Sequence, residues 1–195
     1  MGAIFQSLGR TITAGVVILV IIMLIAGTYG KLNEHAWWGF FFRWLHVASG
    51  VMWIGLLWYL NFVQIPSMPK IPDEQKPAIS KVIAPAVLFW FRWAALATVV
   101  TGLIVASMPP NDLVKTLTVQ APYRAIGVGM WFGLIMAFNV WFIIWPNQKK
   151  ALGIVTVPPE EKAKAARMAM LTSRFNTMLS VPMLYLMVAQ QNAGL

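Results

Sequence analysis

The 195-residue chain contains no cysteine, only six aspartates and glutamates and only two histidines. Without cysteine there is no disulfide, no thiolate metal site and no iron–sulfur cluster. Covalent c-type haem, which needs Cys-x-x-Cys-His, is excluded as well. Charged residues make up 11% of the sequence, against about 25% in an average soluble domain, so a water-soluble globular fold is excluded. With 59% hydrophobic residues and a mean hydropathy of +0.69, lipid is the expected solvent. The two histidines, His35 and His46, are eleven positions apart, about 16 Å even along one helix, and cannot share a metal ion.

Apolar runs predict an all-α integral membrane protein, a single domain over 1–195 with about five transmembrane helices, at about 11–29, 37–63, 84–107, 123–145 and 175–191. The first is read as a retained span, since GTYGKLNE follows it instead of a small-x-small cleavage site. Prolines 66, 69, 72 and 77 predict a non-helical turn between the second and third spans. Pro158-Pro159-Glu160-Glu161 predicts the start of a surface helix over about 159–174 that leads into the last span.

The net charge of +9 is explained by sidedness. Arg10, Lys70, Lys76, Lys81, Lys149, Lys150, Lys162, Lys164, Arg167 and Arg174 fall on the side of the amino terminus, against Lys31, Lys115 and Arg124 on the other. The positive-inside rule then puts the N-terminus in the cytoplasm and the C-terminus outside. The basic face would meet anionic headgroups of the lipid bilayer, and no nucleic-acid partner is needed.

Ionisable groups inside spans cost at least about 2.5–3.5 kcal/mol on insertion scales, so Arg43, His46 and Arg92 are functional candidates. Arg43, His46, Gly50, Trp53 and Leu57 make one helical stripe, with Asn61 four residues further on. His46 lies about 13 Å below Trp37, close to mid-membrane. One reading makes neutral His46 an iron ligand for haem b, with Gly50 giving room to the macrocycle and Arg43 or Arg92 meeting its propionates. A quinone or a small aromatic substrate suits the same donors. The plainer reading has His46 hydrogen-bonding a neighbouring helix and Arg43 snorkelling to the headgroups. Asn139, Arg174 and Asn176 are either interhelical glue or contacts to a polar heterocycle, and Thr177 and Ser180 are read as glue. Trp37, Trp38, Trp58, Trp131 and Trp145 read as interfacial belts, while Trp53 lies deeper.

The stretches RWLHVASGVMWIGLLWYLNF, FWFRWAALATVVTGL, FNVWFIIWPNQKKAL and AARMAMLTSRFNTMLSVPMLYLMV, over roughly residues 40–190, resemble the membrane-bound urate hydroxylase family, whose membrane part is the urate oxidase N-terminal domain. The resemblance implies urate oxidation at a bacterial inner membrane, with electrons passed to a c-type cytochrome domain at the carboxyl end of fuller members. This sequence has no Cys-x-x-Cys-His, so the cytochrome c domain is lacking and a separate c-type cytochrome or other membrane redox complex is the expected partner. His46, Trp53, Arg92, Asn139, Arg174 and Asn176 are the positions the resemblance carries over. The competing expectation is a non-catalytic membrane subunit, packed in a larger complex or forming its own homo-oligomer through small residues such as Gly50, Gly102, Gly127, Gly129 and Gly133. A purine transporter is a weaker third, for want of an inverted repeat.

Overall fold

The computed structural model describes residues 2–192, and all regular structure among them is helical. Four helices are long and apolar enough to cross a membrane: α1 (Leu8–Ile25), α2 (His35–Lys70), α3 (Lys76–Ser107) and α4 (Arg124–Ala151). A fifth long helix, α5, runs over Pro159–Ala189. The chain divides into two compact units, residues 1–41 and 42–195.

In the first unit, α1 has no buried residue at all, as expected of a uniformly apolar helix whose surroundings are lipid. It stops at Ile25, and Gly27 follows at φ 66°, a left-handed conformation that glycine adopts without steric cost.

The second unit is a helical bundle. Its core is formed by Trp53, Leu57 and Leu60 of α2, Leu88, Phe91 and Ala95 of α3, Met136, Val140 and Ile144 of α4, and Met183 of α5. Many large apolar side chains point outward instead, among them Val51 and Phe62 of α2, Trp90 of α3 and Phe142 of α4. An apolar exterior around a core that includes asparagine and serine is the pattern a lipid solvent selects.

The non-helical turn that the sequence predicts between α2 and α3 is present but short, and of the four prolines it holds only Pro72. Pro66 and Pro69 remain within α2 and Pro77 within α3, so only residues 71–75 separate the two helices. The physical reason is local widening of the helix. A proline ring collides with the carbonyl four residues before it. For Pro66, Pro85 and Pro146 that carbonyl belongs to Phe62, Lys81 and Phe142, each inside a π-helical stretch (Tyr59–Gln64, Ile79–Ile83 and Asn139–Ile144). The wider turn accommodates the ring and lets the helix continue.

The surface helix and last span expected at about 159–174 and 175–191 form one uninterrupted helix, α5, because no glycine or proline intervenes between Glu160 and Val181. Pro159 occupies the first turn with Glu160 and Glu161, where a missing N–H costs nothing and negative charge faces the positive end of the dipole. Glu161 pairs with Lys150 at 2.5 Å, which ties the start of α5 to the end of α4. Phe175, Met178, Val181 and Val188 are exposed, while Ser173, Asn176, Ser180 and Met183 are buried. In its second half α5 thus turns its uncharged polar residues inward, while the charged residues of its first half, Lys162, Lys164 and Arg167, are exposed.

Candidate functional site

His46 sits on α2 against the C-terminal half of α3. Its Nδ1–H donates to the Thr98 carbonyl at 2.8 Å, with the Thr101 hydroxyl 3.5 Å from the same nitrogen. The acceptor fixes the tautomer: with Nδ1 protonated, neutral His46 keeps the lone pair on Nε2. The imidazole is pressed against Gly102, where an added Cβ would lie 2.8 Å from His46 Cε1. Gly50, one turn after His46, faces Thr98, whose methyl would lie 3.9 Å from an added Cβ. Both small residues therefore serve the α2–α3 contact. Arg43, one turn before His46, is half-buried, and its Nε is buried without a hydrogen-bond partner.

Arg92 turns away from this region. It lies six residues before Thr98, about 9 Å along α3, and its guanidinium stacks on Trp145 of α4 with Cζ 3.3 Å from the ring centroid. Its Nη1 is buried without an acceptor. Trp53 is 1% exposed, within the apolar core, with its indole N–H unpartnered.

Deeper in the bundle, α5 carries a polar ladder at helical spacing, Ser173, Asn176 and Ser180. Asn61 of α2 donates through Nδ2 to Ser173 Oγ at 2.8 Å and to its own Leu57 carbonyl at 2.9 Å. Trp58 Nε1 donates to Ser180 Oγ at 2.9 Å, and the Ser180 hydroxyl donates to the Thr177 carbonyl. From α4, Asn139 Nδ2 donates to Asn176 Oδ1 at 2.8 Å, while Asn176 Nδ2 donates to the Met136 carbonyl at 2.9 Å. Asn61 and Asn139 both lie in π-helical stretches.

Of the residues singled out from sequence, the structure brings Asn139 and Asn176 into direct contact. It leaves Arg174 exposed, outside the ladder, and holds His46 of α2 against a different part of α3 from the one that carries Arg92. The sequence does not pair Ser173 with Asn61, although 173, 176 and 180 form an i, i+3, i+7 stripe in it. Trp58, read as an interfacial anchor, spends its indole N–H on Ser180. Among the described residues no three His, Cys, Asp or Glu side chains gather as a metal site.

Residues 112–193 match the urate oxidase N-terminal family. The match to this family takes in Asn139, Arg174 and Asn176, together with α4, α5 and their polar contacts. It leaves out His46, Arg43, Gly50, Trp53 and Arg92, which precede it. No curated protein and no solved structure matches the chain.

Proposed function

We propose that this chain is a urate hydroxylase-related redox component of a bacterial inner membrane, which passes electrons to a separate cytochrome or oxidase partner. The observation that carries the reading is the family match over 112–193, which coincides with the α4–α5 pair and its buried asparagines. In this reading the second half of α5 is the fifth crossing: there Ser173, Asn176 and Ser180 face inward and Phe175, Met178, Val181 and Val188 face outward, while the charged first half stays at the membrane surface. The basic loops then face the cytoplasm.

The donor chemistry around His46 fits a haem b iron bound through one histidine. A ligating imidazole characteristically gives its second N–H to a carbonyl, as His46 does to Thr98. His46 Nε2 would hold the iron, and the unpartnered Nε of Arg43 would meet a propionate. Such a group supplies one-electron transfer. The chain's own part is to fix the imidazole tautomer, orient the ring against Gly102 and keep water from Nε2.

A structural subunit is the second reading, favoured by one observation: Asn61, Trp58, Asn139, Ser173, Asn176 and Ser180 spend their hydrogen bonds on helix association. Urate-dependent reduction of added cytochrome c, by membranes that contain the chain and its co-expressed partners, separates the two. The redox reading expects this activity to fall at least tenfold in His46→Ala with assembly intact. Full activity in the variant would favour the structural subunit.

A further inference from the structure

Arg92 and Lys149 approach the same ring. The Arg92 Cζ lies 3.3 Å and the Lys149 Nζ 5.7 Å from the Trp145 centroid, so the two cations are at most about 9 Å apart. Neither is in a salt bridge among the described residues, whereas the neighbouring Lys150 is neutralised by Glu161. The unmet groups here are donors: Arg92 Nη1 is buried without an acceptor, and so is the indole Nε1 of Trp141, one turn before Trp145. Two positive charges at one ring, one of them with a buried nitrogen that has no acceptor, call for an anion with several oxygens.

The surroundings say which anion. Trp141 packs edge-on against Trp93 of α3 at 5.6 Å, and Trp93 is 48% exposed. Phe142 of α4 is 68% exposed. Just beyond Trp145 the sequence passes from FNVWFII to PNQKK, the change from hydrocarbon to headgroup level. An aromatic exterior leading up to a paired cation site matches acyl chains followed by a phosphate.

We propose that Arg92 and Lys149, arranged around Trp145, form a binding site for the phosphate of an anionic phospholipid. The site rests on membrane embedding of the chain and is independent of its redox role.

Native mass spectrometry of the full chain in mild detergent, with equimolar dioleoyl phosphatidylglycerol and phosphatidylcholine, tests the site. Wild type is expected to retain phosphatidylglycerol preferentially. Arg92→Gln and Lys149→Gln should each lower the ratio about fivefold, while Lys162→Gln, on exposed α5, should leave it unchanged. Lys149 lies outside the apolar core, so Lys149→Gln reports on the site even if Arg92→Gln fails to fold. Equal retention of both lipids, an equal loss in Lys162→Gln, or displacement of phosphatidylglycerol by millimolar inorganic phosphate would overturn the proposal. A chain that stays in solution without detergent would instead overturn membrane embedding.

Discussion

Asn139 donates its side-chain amide to Asn176 Oδ1 at 2.8 Å, across the α4–α5 contact, and Asn176 is wholly buried. Asn176 in turn donates to the Met136 carbonyl. An amide in this position has no water to fall back on, so each partner depends on the other.

Asn176→Ala is therefore expected to destabilise the bundle by about 1–3 kcal/mol, because it strands the buried side-chain amide of Asn139. Replacing both asparagines with leucine should cost less than the sum of the two single changes, as coupled neighbours do. Unfolding of the detergent-solubilised chain by added dodecyl sulfate, run as a double-mutant cycle, measures this. Strict additivity would show that the two side chains act independently.

Glycine substitutions should separate by contact. An added Cβ at Gly127 would collide with the Thr116 carbonyl oxygen, one at Gly102 would lie 2.8 Å from His46, and one at Gly133 meets nothing within 4 Å. Gly127→Ala and Gly102→Ala are expected to cost about 1–3 kcal/mol, with Gly127 the worse because backbone must move. Gly133→Ala should be neutral or stabilising by up to about 1 kcal/mol. Thermal melts in one detergent rank the three.

Asp112 caps the short helix Leu113–Leu117 by accepting the Lys115 N–H at 3.0 Å, with the Lys115 ammonium 3.4 Å away. The backbone N–H first, and then the ammonium, hold its carboxyl below the usual aspartate range. A folded-state pKa below the unfolded one means that the cap contributes stability above the unfolded value and loses it as pH falls through the folded value. The Lys115 amide resonance should shift on acidification to below the ordinary aspartate range. Asp112→Asn, which caps without titrating, should abolish that step.

Because the chain has no cysteine, every introduced thiol is unique. Five crossings predict that Gln75→Cys and Thr156→Cys label from the cytoplasmic face only, and Asn33→Cys and Asn111→Cys from the opposite face. Impermeant maleimide on intact cells and inverted vesicles reads this. Labelling of residues 75 and 156 from opposite faces would rule out the arrangement.

The helices were legible in the sequence because apolar length and periodicity are local properties. The polar contacts were legible only in part. Ser173, Asn176 and Ser180 form a visible stripe, but their partners Asn61, Trp58 and Asn139 lie on other helices, and nothing near them in sequence names the match. The prolines misled for a related reason: Pro66 forbids an α-helical hydrogen bond, yet whether the helix stops or widens depends on what Tyr59–Gln64 packs against. Gly102 was read as a packing residue, but its partner, the His46 ring, needed the α2–α3 register. Arg92 showed as costly in sequence, while its stacking on Trp145, more than fifty residues later, did not.

In the redox reading His46 offers Nε2 to a haem iron. Optical spectra of the gently solubilised chain, air-oxidised and then reduced with dithionite, beside His46→Ala and Gly102→Ala, test it most directly. Wild type is expected to show a Soret band with reduced α and β bands of haem b, His46→Ala to lose all three, and Gly102→Ala to give a shifted or weakened spectrum. Featureless visible spectra in wild type, or a haem spectrum unchanged by His46→Ala, would contradict it.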